Sequence, residues 1–334
     1  MDLDPSDDQR ALQETVARLA ADRFDMERVR EWGEPGGFSA ALWQELAALG
    51  TFGIAVPEAD GGVGLATIDS VLVHETLGAA LTPGPLVAAS VLGGAVAGVS
   101  IDGVVDGTVV PTLVRVERGL GADPTGAMVV EHLRDADVLV VLTDGEVRSY
   151  DAATLDRTEA AHPTDPTMPV SLVRGLAEVG GTLIGGAEES HALRRVASLL
   201  ASAQLVGLAE AATTLAVQYA SDRQQFGRPV GSFQGLKHLL ADCYVRTEVA
   251  RSAVWAAGVT LDEPEAGDAD RAVAGARLLA ARAGADNAKT CVQVHGGMGF
   301  TWEVDAHLYM KRAWVLETMF GSADDAAEAV AATL

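Results

Sequence analysis

Aromatic side chains are scarce in this chain: phenylalanine, tryptophan and tyrosine make up 5% of its 334 residues, although hydrophobic residues as a whole reach 49%. The core must therefore be aliphatic and alanine-rich, which suits close-packed helices better than a β-sandwich. Cations are also few. Lysine and arginine total 24 against 47 acidic residues, a formal net charge of -23, and lysine occurs only at Lys237, Lys289 and Lys311. Nucleic acid and anionic membranes both need clustered basic charge, so neither is an expected partner. An anionic ligand would have to be held by a few local cations and by helix N-termini. The two cysteines, Cys243 and Cys291, stand apart with no metal-ligand spacing. That pattern excludes a disulfide framework, points to no metal site, and fits small buried hydrophobes in a reducing compartment. The start, MDLDPSDDQR, is acidic where a signal peptide has a basic start and an apolar run, and no uninterrupted apolar segment is long enough to span a bilayer. The expected location is the cytoplasm.

The length allows two or three domains, and the patterning divides the chain into three. Residues 1–86 read as an N-terminal helical domain. Ser6 and Gln9 form a capping-box pattern, followed at helical spacing by Leu12, Val16, Leu19 and Ala20. A second helix runs through residues 40–46 and stops at Gly50, residues 56–62 turn at Pro57 and the paired glycines, and a third helix covers about 66–81. Residues 87–188 read as a reduced middle β domain, with strands at Val104, Val109-Val110, Val129-Val130, residues 138–142 and Val147, and a turn at Asp144-Gly145. Residues 189–334 return to helices: one over 191–222, then others over about 231–258, 266–293 and 303–319, as in an antiparallel four-helix bundle. The predicted class is mainly α with a small β domain.

Three stretches are more specific. The first is residues 42–50 with 53–58 and Gly61-Gly62-Val63-Gly64. The second is Asp222-Arg223-Gln224-Gln225-Phe226-Gly227-Arg228-Pro229-Val230 with Phe233-Gln234. The third is Gln293-Val294-His295-Gly296-Gly297-Met298-Gly299-Phe300. In this order they resemble the N-terminal signature, the R-x-x-F-G…Q segment and the Q-x-x-G-G-x-G-F segment of the acyl-CoA dehydrogenase family. The resemblance implies that family's fold, FAD as cofactor, an acyl-CoA substrate and an electron-transfer flavoprotein-like acceptor. A dinucleotide carries a pyrophosphate, which calls for a cation and backbone N–H donors where water is scarce. The resemblance gives Arg223 that role toward the FAD of a neighbouring subunit. It sets Phe226 near the adenine side, Gln234 as a polar contact, and Gln293 and His295 beside Gly296-Gly297, whose backbone can approach the cofactor closely. Each also has a plain reading: Arg223 as a solvated charge suited to a helix C-terminus, Phe226 as core, His295 as a turn residue, and the glycines as a helix-to-helix turn. Trp302 and Trp314 read as core or interface.

The resemblance breaks where the chemistry would be done. The family's usual base is the glutamate of a Y-E-G-T segment after G-G-x-G-F, and counting from Gly299-Phe300 puts Phe320 there. The alternative base, on the helix before the arginine motif, falls at Ala197. No catalytic residue is therefore assigned. Glu317 could act as a displaced base, but exposed surface or an ion pair with Lys311 or Arg312 is its plainer role. The T-E-x-x-x-G-S-D segment that holds the flavin ring is unmatched, since Gly121-Ala122-Asp123-Pro124-Thr125-Gly126 differs from it. This pattern is similar to the short, base-free subunit of heteromeric acyl-CoA dehydrogenases that shorten sterol side chains. It implies a heterotetramer with a complete dehydrogenase subunit and a steroid side-chain CoA ester as substrate. A self-sufficient homomeric enzyme and a flavin-free acyl-CoA-binding relative stay open.

Overall fold

The computed structural model describes residues 4–116 and 127–333. The stretch Gly121 to Gly126 lies outside the described residues. In chain order the helices are α1 (Asp7–Arg23), α2 (Met26–Gly33), α3 (Ala40–Ala48), α4 (Thr67–Ala79), α5 (Leu86–Leu92), α6 (Leu176–Val179), α7 (Ala187–Asp222), α8 (Gln234–Asp262), α9 (Ala269–His295), α10 (Ala306–Thr318) and α11 (Ala323–Ala331). The strands are β1 (Gly93–Val96), β2 (Val99–Ser100), β3 (Pro111–Arg115), β4 (Met128–Glu131), β5 (Val138–Leu142), β6 (Val147–Asp151), β7 (Asp156–Glu159), β8 (Val170–Arg174), β9 (Thr182–Gly185), β10 (Gln224–Gln225) and β11 (Arg228–Pro229). Two compact units divide the chain: one of Met1–Met26, Val71–Thr82 and Leu199–Leu334, the other of Glu27–Ser70 and Pro83–Ser198. Compactness thus interleaves segments that the sequence sets in three consecutive blocks.

The first unit is helical, and small residues let its helices approach. Ala201, Ala203, Ala209, Ala212, Ala216 and Ala220 of α7 are buried, as are Ala276, Ala280, Ala281, Ala283 and Ala288 of α9. Where α4 crosses α7, a Cβ on Gly207 would collide with the Glu75 carbonyl and one on Gly78 with that of Gln204. Only glycine at both positions allows that approach. The capping box on α1 is present, with Gln9 N–H donating to Ser6 Oγ at 3.2 Å and Ser6 N–H to Gln9 Oε1 at 2.9 Å. Helix α7 is long and apolar enough to cross a membrane by length and composition, but Gln204 and Glu210 interrupt its apolar run and two-thirds of its most apolar window is buried.

Besides the β1-β2 pair, the second unit holds two small sheets, ordered β3-β5-β6-β9 and β4-β8-β7. Strands β3 and β5 run parallel, Pro111 opposite Val138, and β5 and β6 antiparallel, Val138 opposite Asp151. Val130, Leu133, Leu139, Val141, Tyr150, Leu155 and Val173 form a core between them. In the helical part of this unit Trp43 stacks on Phe52 at 4.3 Å. Three expectations need correction. Residues 86–92 are a helix, not the start of the β domain. Nearly every side chain of α5 is buried, so it shows no amphipathic period and reads like a buried strand. Val104, Val109 and Val110 lie in no strand: they sit in a turn segment closed by Asp106, which accepts from Thr108 N–H at 2.9 Å, and the strand begins only at Pro111. Helices α2 and α11 carry short patterns that the sequence reading passed over.

Candidate functional site

A polar hub sets the register of the helical unit. Asn287 of α9 is fully buried, and its Nδ2 donates to the Cys243 carbonyl at 3.0 Å and to Thr247 Oγ1 at 2.9 Å on α8, with Thr213 Oγ1 of α7 at 3.2 Å. Its Oδ1 accepts from Arg246 Nε at 2.9 Å. Helices α8 and α9 are joined by the short connection 263–268, so they run antiparallel. Nine residues back from Cys243 is Gln234, and nine residues on from Asn287 is Gly296. The start of α8 and the end of α9 therefore lie level, about 14 Å from the hub at 1.5 Å per residue. The end of α7 joins them through Tyr219, whose ring lies 4.2 Å from that of His295. One turn past Tyr219 is Arg223. Two motifs about seventy positions apart in the chain thus meet at one end of the bundle.

The arginine motif forms a tight hairpin. Gln224 pairs with Pro229 and Gln225 with Arg228, leaving Phe226 and Gly227 at the tip with φ of 53° and 76°. Two successive positive φ values are those of the turn that matches strand twist, where asparagine-glycine is usual and phenylalanine costs on the order of 1 kcal/mol. Phe226 is 90% exposed, so it is not core. Its ring meets Phe233 edge-on at 6.1 Å, and the Arg228 guanidinium lies 4.1 Å over the other ring of that pair, Phe233.

Several features of this end fit the phosphate-bearing part of a dinucleotide. Arg223 is exposed and makes no ion pair among the described residues. No side chain caps the N-terminus of the long α8 helix, which leaves the N–H groups of Gln234 and Gly235 without a side-chain acceptor. The glycines separate by cause. A Cβ on Gly299 would press on the Val292 carbonyl at 2.6 Å, and Gly296 has φ 62°, so the chain's own backbone requires both. Gly297 has an ordinary φ, and a Cβ there would meet nothing within 4 Å. The space beside it is open to an outside occupant. Gln293, Gly296 and Gly297 are exposed.

His295 behaves differently from its neighbours. It is buried against Tyr219, and its Nδ1 lies 2.8 Å from the Cys291 carbonyl, one turn back on the same helix. That is a structural placement under the surface, as the plain reading had it. Cys243 and Cys291 are both free and buried, and burial pushes both thiols up, Cys291 to about 12, which disfavours the thiolate. Trp302 and Trp314 are exposed rather than core, and the Lys311 ammonium lies 4.8 Å over the Trp302 ring. Sequence reading missed two cations. Lys237, one turn after Gln234, and Lys289, one turn before Gln293, are exposed, and neither forms an ion pair among the described residues. Helical spacing from the two glutamines was the signal that could have found them.

Both positions that could carry a base hold buried hydrocarbon, Ala197 on α7 and Phe320 after α10. Phe320 has φ 59° and is pinned from both sides: Arg277, itself buried, donates to the carbonyls of Leu316, of Met319 at 2.7 Å and of Gly321 at 2.9 Å. Glu317 does not pair with Lys311 or Arg312. Burial pushes its carboxyl above the usual range against the opposing pull of Arg277, and Asp286 and Asp324 push it further. Arg312 reaches instead toward the carbonyls of Leu81 and Thr82.

A cleft of about 500 Å³ opens elsewhere on this unit, lined by Asp4, Glu75, Glu210, Glu248, Arg251 and Trp255 among others. Its one cation is saturated: Arg251 bonds Glu75 at 2.7 Å, Glu210 at 2.6 Å and Glu248. The excess of carboxylates would repel a phosphate, and Arg251 lies about 25 Å along α8 from Gln234. Among the described residues no cluster of histidine, cysteine, aspartate or glutamate could hold a metal ion.

Comparison with known proteins places the chain in a family. Residues 6–101 match the acyl-CoA dehydrogenase N-terminal domain and residues 195–334 the acyl-CoA dehydrogenase C-terminal domain. The chain is 32% identical over 324 residues to the acyl-CoA dehydrogenase IpdE2 of Mycobacterium tuberculosis, covering 92% of both chains. It is 34% identical to IpdE2 of Mycolicibacterium smegmatis over 319 residues, covering 92% of this chain and 93% of the relative. A chain of the ChsE4-ChsE5 complex from Mycobacterium tuberculosis superposes with a TM-score of 0.83 at 25% identity, over 99% of this chain and 98% of that one. With both terminal domains matched and full-length relatives of this similarity, the chain belongs to the acyl-CoA dehydrogenase family.

Proposed function

We propose that this chain is the base-free subunit of a heteromeric, cytoplasmic acyl-CoA dehydrogenase. It lends Arg223, Phe226, Gln234, Gln293, Gly296 and Gly297, with His295 supporting them from beneath, to an FAD held chiefly by a complete partner subunit. The observation that carries the reading is a mismatch inside one chain: an unpaired cation, an uncapped helix start and open glycines at one end of the bundle, against hydrocarbon at Ala197 and Phe320. A solved relative that is itself a complex of two proteins, ChsE4 and ChsE5, supports the same arrangement.

When bound, FAD supplies the hydride acceptor for α,β-dehydrogenation of an acyl-CoA thioester. Arg223 and the first N–H groups of α8 neutralise pyrophosphate charge, and Gly297 leaves room for the cofactor to lie against backbone. The partner provides the carboxylate that takes the α proton. The substrate is an acyl-CoA, with a steroid side-chain CoA ester as the specific class; a steroid ACAD variant, Tcur3481-Tcur3483, shares the fold at a TM-score of 0.82. The assembly is a heterotetramer of two such chains and two complete subunits, joined through the helices of residues 191–320, with FAD in half the sites and an electron-transfer flavoprotein-like acceptor.

The chain expressed alone is expected to carry little flavin and to oxidise no acyl-CoA. Co-expressed with a base-bearing subunit, it is expected to show one flavin for every two chains by native mass and absorbance. A yellow, active homo-oligomer of the lone chain would overturn the reading.

A further inference from the structure

Lysine occurs three times in 334 residues, and two of the three stand near the end of the bundle where Arg223, Gln234 and Gly297 meet. Lys237 follows Gln234 by three residues on α8, and Lys289 precedes Gln293 by four on α9. These spacings keep each lysine on the same side of its helix as the glutamine. The Asn287 hub fixes their heights. Lys237 lies six residues back from Cys243 and Gln293 six on from Asn287, so these two are level, and Lys289 lies about 6 Å further down. Both lysines are exposed, and neither forms an ion pair among the described residues. The carboxylates of these stretches are turned aside or engaged. Asp242, five residues past Lys237, is rotated from it by about 140° around α8. Asp286 lies 3.6 Å from Arg282, and Asp222 accepts from Gln218 at 2.6 Å.

Arginine supplies the fixed contacts elsewhere in this unit: Arg251 on three carboxylates, Arg277 on three carbonyls and Arg246 on Asn287. A lysine ammonium is a compact, hydrated point charge on a flexible stem, suited to attraction through water more than to a rigid fork contact. Attraction of that kind matters on a body of net charge -23, which repels an anionic dinucleotide from its other sides. Its reach is set by salt, at about 10 Å in 0.1 M and about 3 Å in 1 M. Along the helix axis Lys237 lies about 4.5 Å and Lys289 about 10 Å from the level of Gln234. Both distances fall within the reach at low salt and outside it at high salt.

Resting on the functional reading given above, we propose that Lys237 and Lys289 strengthen this chain's hold on the FAD pyrophosphate through solvent, so that flavin retention is set in part by salt. Arg223 makes the direct contact, and the two lysines supply the screened part of the attraction. The test uses the co-expressed complex as purified with its flavin, diluted in about 0.05 M or about 1 M sodium chloride, with released FAD read by its fluorescence. It compares the unmodified complex, Lys237→Gln combined with Lys289→Gln, Arg223→Ala, and Arg271→Gln, which removes one cation at the far end of α9. At low salt the double glutamine variant should hold FAD roughly tenfold more weakly than the unmodified complex, and at high salt the two should coincide. Arg223→Ala should be weaker at both, and Arg271→Gln should match the unmodified complex. Both lysines are exposed, so the melting temperature of the double variant should be unchanged. Equal retention by the double variant at low salt would overturn the inference and leave the functional reading standing. So would a deficit that persists at high salt, which would make the lysines direct contacts, or an equal deficit in Arg271→Gln, which would make net charge the cause. An unmodified complex that holds no flavin at either salt would sink the functional reading and this inference with it.

Discussion

Asn287 donates to the carbonyl of Cys243 across 3.0 Å, and this one contact sets α9 in register with α8 so that Gln234 lies level with Gly296. The same side chain accepts from Arg246 and reaches Thr213 and Thr247, so a single buried amide connects three helices. Alanine-rich helices slide easily past one another, because their small side chains give few distinct ridges. A polar group that finds all its partners in only one register removes that freedom.

Replacing Asn287 by alanine leaves Arg246 and two threonine hydroxyls short of a buried partner. The expected loss is on the order of 2–3 kcal/mol of stability, read as a lowered melting temperature. In the assembled enzyme, flavin content should fall as well. A variant as stable as the parent would show that water replaces the amide and that the hub does not set the register.

Arg223→Ala removes one charge-assisted contact to a pyrophosphate and nothing that holds the chain together. Flavin affinity of the complex should fall by on the order of 1.5–3 kcal/mol, while the melting curve of the isolated chain stays where it was. Arg223→Lys should recover part of the loss, since a point charge keeps the attraction and loses the fork geometry. Unchanged flavin content in the alanine variant would put Arg223 among solvated surface charges.

Arg277 spends its buried guanidinium on three carbonyls around Phe320. Arg277→Met keeps the length of the side chain and loses every donor, which should cost on the order of 3 kcal/mol. Hydrogen exchange should rise first at residues 319–326, ahead of the rest of the bundle. Uniform exchange across α9, α10 and α11 would argue that Arg277 supports the whole unit instead of this turn.

His74 gives the chain an acid-sensitive point. It is fully buried, Gln204 Nε2 lies 3.1 Å from its Nδ1, and burial pulls its pKa from 6.5 to about 3. The folded state therefore binds fewer protons than the unfolded state between these values. The associated stability is complete above 6.5 and falls as pH drops toward 3, by on the order of 2 kcal/mol at about pH 5. Glu75, Glu131 and Glu317 have raised values and work in the opposite sense, their share being complete below 4.5 and lost as pH rises through the folded values. Comparing the parent with His74→Gln across this range isolates the histidine. The melting temperature of the variant should fall less between about pH 7 and 5, and parallel curves would rule His74 out.

Much of this protein could be read without coordinates, and the reasons are local. Apolar spacing marked α1, α3, α4 and the long C-terminal helices to within a few residues, because a helix repeats its buried face every three to four positions. The capping box of Ser6 and Gln9 and the turn at Pro57 depend only on neighbouring residues. The three motifs, and the hydrocarbon at Phe320 and Ala197, were visible by counting. Other features depended on contacts distant in sequence. Helix α5 was hidden because it is buried on every side, and Val104 and Val110 are core without belonging to a strand. The exposure of Phe226 follows from a hairpin whose tip holds two positive φ values, and the inward turn of His295 from the ring of Tyr219 on another helix. Residue types and their spacing determined which helices form and which chemistry is missing, since both are set within a few turns of chain. Only the tertiary structure decided that Arg223, Gln234 and Gly297 share one end of the bundle, because the register between helices is set by buried partners such as Asn287, far apart in the chain.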